Sequence, residues 1–112
     1  MRRIKFFRNK KGTSPIEDYL DTLSDKQVEK VLWVLKLIKE LPFIPLKFFK
    51  KLVNTEDIWE VRVKYGNNIF RLLGFFEKES LIILTHGFTK KGQKTPRNDI
   101  QIAESRKKEW RR

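Results

Sequence analysis

The spacing of apolar residues changes from a helical period to a strand period in the middle of this chain. Between residues 16 and 38, apolar side chains recur three and four positions apart, which is typical of helices that bury one face. Over residues 59–65, apolar and charged residues instead alternate strictly, which indicates a strand with one polar face. The separation of the helical period and the strand period into different segments predicts an α+β domain.

Two capping patterns predict a helical hairpin near the N-terminus. The segment 14–17 (Ser-Pro-Ile-Glu) is typical of a helix start with proline in the first turn. The segment 24–27 (Ser-Asp-Lys-Gln) repeats the capping pattern and opens a longer helix, which Pro42 ends. A short strand over residues 4–7 precedes both helices.

Strand patterns follow the hairpin, and one more helix closes the chain. Strands are predicted over residues 59–65, 69–76 and 81–88, and Thr95-Pro96 is expected to cap the last helix. The predicted order is β-α-α-β-β-β-α, with an antiparallel-type sheet. We expect the helices to pack on one face of this sheet and the other face to stay open. A length of 112 residues fits a single domain spanning 1–112.

The chain is strongly basic, and its charge is unevenly distributed. The formal net charge is +12, yet the segment 13–40 carries six acids against four lysines. Such a charge predicts attraction to polyanions, chiefly nucleic acid, with an anionic membrane surface as the competing partner. No apolar run approaches the length of a membrane span, so we expect no membrane partner. The absence of cysteine excludes disulfides and thiolate metal sites, and we expect a reducing, cytoplasmic location.

Arg71 is the most informative candidate for chemistry. It interrupts a strand that is otherwise apolar on both faces, and a charge in such a place must either find a partner or line a functional cavity. Pairing with Glu60 or Glu77 is the structural alternative. If the strands 59–65 and 69–76 form a hairpin, Arg62 and Arg71 point to the same face and provide a fork of donors for phosphate.

The end of the last strand supplies the other candidates. His86 is the only histidine, and no second or third ligand clusters with it, so we expect no metal site. As an acid or base it is credible, because its unperturbed pKa lies near neutrality. The run 90–97 is either a solvated loop or a flexible clamp on a nucleic-acid backbone. Trp110 either packs the last helix down or stacks on a base.

These residues resemble a known family of toxins. The segment 86–96 resembles the HGF-x-KK-x-x-KTP signature of phage-derived HigB-like toxins in the RelE/ParE superfamily. The opening at 14–17 and the hairpin segments 59–63 and 69–72 are similar to the same family, in the same order. The resemblance covers nearly the whole chain.

The resemblance implies a type II toxin, a ribosome-dependent endoribonuclease that cleaves messenger RNA and inhibits translation. It implies a cognate helix-turn-helix antitoxin, with the ribosome and messenger RNA as further partners and no cofactor. It implies metal-independent catalysis centred on Arg71. The catalytic residues it implies are Arg71, Arg62, His86, Lys90 and Lys91. The substrate-binding residues it implies are Lys94, Trp110 and Lys64.

Some family members carry a lysine where this chain has Glu60, which leaves the acid and base roles open between Glu60, His86 and the lysines of the 90–94 loop. Two alternatives to the nuclease remain. One is a ParE-like toxin that poisons DNA gyrase, and the other is a basic nucleic-acid-binding module without catalysis.

Overall fold

The computed structural model describes residues 1–90, 92 and 94–112, and these form a sheet with helices on both faces. The strands are β1 (Arg3–Phe6), β2 (Phe49–Lys51), β3 (Trp59–Tyr65), β4 (Asn68–Lys78) and β5 (Leu81–Thr89). The helices are α1 (Pro15–Leu20), α2 (Asp25–Glu40) and α3 (Arg97–Trp110). The predicted α+β class is confirmed.

The sheet has the order β1-β5-β4-β3-β2 and is mixed. β3, β4 and β5 pair in antiparallel fashion as predicted, β2 adds antiparallel to β3, and β1 runs parallel to β5. The short edge strand β2 was not predicted, because three residues behind a proline-containing loop show no periodicity. The order of elements is therefore β-α-α-β-β-β-β-α.

The helical hairpin begins where its caps predict. The Ser14 hydroxyl accepts a hydrogen bond from the Glu17 amide at 3.2 Å. The Ser24 hydroxyl accepts one from the Gln27 amide, and the Gln27 side chain accepts one from the Ser24 amide, which completes a capping box. The two predicted helix starts are confirmed.

The main core lies between this hairpin and one face of the sheet. It contains fully buried aliphatic residues from both layers: Ile16, Val31, Val34, Ile38, Val61, Val63, Leu72, Ile82 and Leu84. Apolar contact on this scale supplies most of the stability of a small domain. We call this side of the sheet the hairpin face.

The opposite side of the sheet, which we call the α3 face, was expected to be open, and that expectation was wrong. The last helix lies across part of it. Ala103 packs with Ile58 and Leu73, and Trp110 packs on a second buried cluster that contains Phe7 and Phe75. The last helix carries charges of both signs and few apolar residues, so no pattern in it predicts which face of the sheet it covers.

Within the described part of the chain, none of the helices has both the length and the apolar composition that crossing a membrane requires.

Candidate active site on the charged half of the α3 face

Arg62 and Arg71 lie directly opposite each other on β3 and β4. Residues paired in this way project from the same face of a sheet, so the predicted convergence of the two guanidinium groups is confirmed. Both project from the α3 face. Arg71 is buried, with 4% of its surface exposed, whereas about a third of the Arg62 side chain is exposed.

A buried carboxylate, that of Glu60, joins the two arginines. Its Oε1 lies 2.5 Å from Arg71 Nη1 and 3.5 Å from Arg62 Nε. Its Oε2 accepts a short hydrogen bond from the Thr95 hydroxyl. Glu60 itself is 2% exposed. Of the two partners that the sequence allowed for Arg71, Glu60 is therefore the observed one, while Glu77 lies 3.8 Å from Arg111.

The guanidinium of Arg71 is only partly satisfied. Among the residues that the structure describes, none accepts a hydrogen bond from its Nε, which is buried. Burial lowers the pKa of Arg71, and repulsion from Arg62 lowers it further, while Glu60 acts in the opposite direction. Buried donors without an acceptor are rare in native proteins and indicate either strain or a ligand-binding role.

Lys90 brings another cation to this place. It follows β5 directly, and its amide donates to the Ile69 carbonyl at 2.8 Å, which fixes it beside the strand that carries Arg71. Lys90 is 9% exposed. Burial, and then repulsion from Arg71, lower the pKa of its ammonium group. A lysine with a lowered pKa gives up its proton more readily than an ordinary one.

We call these residues together the arginine cluster: Glu60, Arg62, Arg71, Lys90 and Thr95. Three cations surround one carboxylate beside the segment that leads into α3. Such an arrangement attracts a further anion, and planar guanidinium groups match the geometry of phosphate oxygens.

His86 lies on the same face but belongs to a different set of contacts. Its Nε2 lies 3.1 Å from Asp99 Oδ1 of α3, and its Nδ1 lies 3.0 Å from the Thr85 hydroxyl. Burial lowers the pKa of His86, while the hydrogen bond with Asp99 opposes that shift. We call Thr85, His86 and Asp99 the histidine bridge, because they connect β5 to α3.

The pairing register also separates His86 from Arg71. Phe88 is the residue opposite Arg71, and Leu73 is the residue opposite His86, so the histidine lies diagonal to the arginine. The His86 ring packs against Phe88 at 6.1 Å between centroids. The structure thus brings Arg62, Arg71 and Lys90 together and gives His86 other partners.

The remaining predicted residues occupy three places. Lys64 is exposed and lines a cleft together with Arg62 and Arg71. Lys94 is exposed and lines a separate groove beside the start of α3. Trp110 packs on the Phe7–Phe75 cluster, so of its two predicted roles the structure shows the packing one. Lys91 lies outside the described residues.

The sequence analysis missed the contribution of Thr95. Thr95-Pro96 was expected to cap α3, but the helix begins at Arg97, its N-cap is Pro96, and no side chain caps it. The Thr95 hydroxyl instead binds Glu60, which is distant in sequence. Local capping patterns carry no information about such a contact.

Within the described ranges, no group of three or more His, Asp and Glu side chains is arranged to hold a metal ion. The chemistry that these residues offer is that of guanidinium, ammonium and a single carboxylate. Together they can bind a phosphodiester, stabilise added negative charge on it and exchange protons with it.

Comparison with curated proteins gave no significant match. A family model, that of the phage-derived Gp49-like proteins (DUF891), matches residues 18–108. The matched segment contains every member of the arginine cluster and of the histidine bridge. Because the match spans most of the chain, this protein belongs to the phage-derived Gp49-like family.

Proposed function

We propose that this protein is the toxin of a type II toxin–antitoxin pair, an endoribonuclease that cleaves messenger RNA on the ribosome. The observation that carries the proposal is the arginine cluster. In it, a buried arginine has one donor with no acceptor among the described residues, beside a second arginine and a lysine of lowered pKa. Membership of the Gp49-like family and the net charge of +12 support it.

The reaction is a transfer within the RNA backbone. The 2′-oxygen attacks the neighbouring phosphorus, the bond from phosphorus to the 5′-oxygen breaks, and the products are a 2′,3′-cyclic phosphate and a free 5′-hydroxyl. One proton leaves the 2′-hydroxyl and one reaches the 5′-oxygen. Arg71 and Arg62 stabilise the negative charge on the phosphate oxygens, which is worth about 3–4 kcal/mol for a well-placed donor.

Glu60 is the better base and Lys90 the better acid. Glu60 is the carboxylate that touches both arginines, whereas His86 is held between Asp99 and Thr85. The Thr95 hydroxyl donates a hydrogen bond to one oxygen of Glu60, so the 2′-hydroxyl of the substrate displaces the Thr95 hydroxyl as it binds. Lys90 donates its proton more readily because its pKa is lowered.

The proposed partners follow from charge and from the resemblance. The exposed cations suit ribosomal and messenger RNA. A cognate helix-turn-helix antitoxin would neutralise the toxin with an acidic or amphipathic segment. Co-expression of the two is expected to yield a complex that survives purification at moderate salt, and separate elution of the two proteins would argue against this partner.

The direct test is cell-free translation with added protein, followed by mapping of the cuts on the messenger. Arg71→Ala is expected to reduce the cleavage rate by about a hundredfold to a thousandfold, as for other preorganised charge-stabilising donors. Arg71→Lys is expected to restore only part of it, because a point charge cannot replace a planar fork. Arg3→Ala is the matched control, since Arg3 is exposed on the edge strand β1.

Folding must be checked in this test, because Arg71 is buried. Circular dichroism and a thermal melt would establish that Arg71→Ala retains its fold. A folded Arg71→Ala protein that cuts at the wild-type rate would move the active site elsewhere. A wild-type protein that leaves messenger RNA intact but arrests DNA gyrase would replace the nuclease with the ParE-like alternative.

The same chemistry predicts how the enzyme responds to chelators. Guanidinium and ammonium groups supply the positive charge in this mechanism, so we expect cleavage to survive EDTA once ribosomal magnesium is restored. Loss of cleavage that only a transition metal reverses would overturn the mechanism.

A further inference from the structure

An open cleft runs along the edge of the sheet next to the arginine cluster. β2 pairs with Trp59, Glu60 and Val61 of β3, and the Phe48 carbonyl accepts one further hydrogen bond from the Arg62 amide. Beyond that point the edge of β3 is left uncovered by β2. The cleft at this edge is lined by Lys30, Trp33, Lys47, Phe48, Arg62, Val63, Lys64, Gly66, Ile69 and Arg71.

Trp33 forms one wall of this cleft. It projects from α2 and is 47% exposed, which is unusual for a tryptophan in a domain with a well-packed core. Phe48 meets it edge to face, with ring centroids 5.9 Å apart and an interplanar angle of 87°. This contact fixes the indole ring in place and leaves part of its surface accessible.

Cations surround the aromatic pair. Lys30 Nζ lies 4.6 Å from the Trp33 centroid, and Lys47 Nζ lies 5.0 Å from that of Phe48. Lys64, Arg62 and Arg71 line the other side of the cleft, and among the described lining residues none is acidic. The cleft therefore combines an aromatic platform with a cationic wall that leads to the proposed position of the scissile phosphate.

We infer that Trp33, supported by Phe48, is a stacking subsite for a base of single-stranded RNA adjacent to the nucleotide bound at the arginine cluster. This inference rests on the proposed function. Stacking on an aromatic ring, together with a cationic groove for the backbone, is the general way in which proteins bind single strands with little dependence on sequence. The subsite lies on α2, apart from Trp110, which packs against the Phe7–Phe75 cluster.

The composition of the cleft favours RNA over a protein segment. Five of the described lining residues are basic and none is acidic, and of the aliphatic ones Val63 is fully buried. A planar base needs only the exposed part of the indole ring, and its phosphate can reach several of the surrounding cations. An acidic peptide is the competing occupant, and the experiment includes it.

The test measures binding of an oligouridylate hexamer to the free protein at fixed salt. Trp33→Ala is expected to weaken binding by about fivefold to 150-fold, the range for loss of one stacked base, and Trp33→Phe is expected to restore most of it. The salt dependence of binding is expected to stay unchanged, because no charge is removed. A hexamer that carries 5-iodouracil is expected to cross-link to Trp33.

Leu32→Ala is the matched control. Leu32 is 49% exposed on the same helix but lines a different groove, beside Ile4 and Phe6. Its substitution is expected to leave binding of the hexamer unchanged and to cost no more stability than Trp33→Ala. A general loosening of α2 would instead weaken binding in both variants.

The outcomes separate this inference from the proposed function. If Trp33→Ala binds the hexamer as tightly as the wild type while Arg71→Ala loses cleavage, the subsite is wrong and the nuclease stands. If binding depends on Trp33 but the wild type cuts no messenger RNA, the subsite stands and the nuclease falls. If Trp33→Ala weakens binding of polyglutamate more than binding of the hexamer, the cleft is a protein-docking site and the inference is overturned.

Discussion

The arginine cluster and the histidine bridge lie side by side on the same face of the sheet, yet they differ in how their polar groups are satisfied. In the histidine bridge, both ring nitrogens of His86 lie within hydrogen-bond distance of Thr85 and Asp99. In the arginine cluster, the Nε of Arg71 has no acceptor among the described residues, and the carboxylate of Glu60 accepts hydrogen bonds from Arg71 and Thr95 and forms an ion pair with Arg62. A saturated site indicates a structural role, whereas an unsaturated one indicates either strain or a place for a ligand.

The position of α3 accounts for this difference. Asp99 lies in the first turn of α3, so the helix covers His86 and supplies its partner. Among the described residues of the segment that joins β5 to α3, Thr95 and Lys90 belong to the arginine cluster, and the Thr95 hydroxyl donates to Glu60. Within the arginine cluster, about a third of the Arg62 side chain is exposed, whereas Glu60 and Arg71 are buried.

The largest effect is expected from removal of the carboxylate in the arginine cluster. Glu60→Ala leaves Arg71 buried without its counter-ion, and breaking a buried pair in this way costs about 3–5 kcal/mol of unfolding free energy. Urea unfolding measures the change. Glu60→Gln retains the size and an acceptor, so its cost is expected to be smaller, while its cleavage is expected to be lost with the base.

A double variant separates burial of charge from the loss of contacts. Glu60→Met with Arg71→Met replaces the pair with apolar groups and is expected to be more stable than Glu60→Ala, because the buried guanidinium of Arg71 is no longer left without its counter-ion. If Glu60→Ala unfolds with a free energy within about 0.5 kcal/mol of the wild type, as surface substitutions do, the pair is not buried as described.

A smaller effect is expected at the histidine bridge. His86→Ala removes the contacts with Thr85 and Asp99 and is expected to lower the unfolding free energy by about 1–3 kcal/mol. Cleavage by the folded variant is expected to stay near the wild-type rate, because the His86 ring is already held by Asp99 of α3 and by Thr85. A stable His86→Ala protein that has lost cleavage would place His86 in the chemistry and would remove the contrast between the two sites.

Much of the fold was predictable because its signals are local. The caps at Ser14 and Ser24 and the alternation of β3 depend on neighbouring residues, and the structure confirms each of them. The parallel pairing of β1 with β5 and the covering of the α3 face by the last helix were not predictable in this way. Both join segments that are far apart in the chain.

The candidate site was predictable in part for the same reason. Arg62 and Arg71 flank a hairpin turn, so their convergence follows from strand geometry. The place of His86 depends on a bulge in β5. On β4, the neighbours Leu73 and Gly74 are opposite His86 and Leu84 of β5, so Thr85 has no residue opposite it and is the extra residue of the bulge. Because of this extra residue, His86 projects from the α3 face. No pattern in the sequence marks that bulge.

The histidine bridge also predicts how stability depends on pH. The pKa of His86 is lowered by burial in the folded protein, so the unfolded chain binds a proton more readily. The stability that the neutral ring contributes is fully present above the ordinary histidine pKa of about 6.5 and is lost as the pH falls through the lower folded value. Urea unfolding between neutral and mildly acidic pH measures this loss.

His86→Gln is expected to remove that part of the pH dependence. Asp99 and Arg106 of α3 are the charged groups that act on the ring, one raising and one lowering its pKa. A variant series in which the wild type and His86→Gln lose stability in parallel would assign the pH dependence to other groups.

The smallest effect is expected at the exposed edge of the arginine cluster, where Lys64 lines the cleft. Because Lys64 is a solvated cation, Lys64→Ala is expected to leave stability and the cleavage pattern unchanged. If it contacts one phosphate, the slope of log affinity for single-stranded RNA against log salt is expected to become shallower by about 0.7. Lys5→Ala is the matched control, since Lys5 is exposed on β1 at the opposite edge of the sheet. Equal salt slopes for the two variants would show that RNA does not follow the cleft past Lys64. A changed cleavage pattern in Lys64→Ala would show that Lys64 contributes to the choice of cleavage site as well as to affinity.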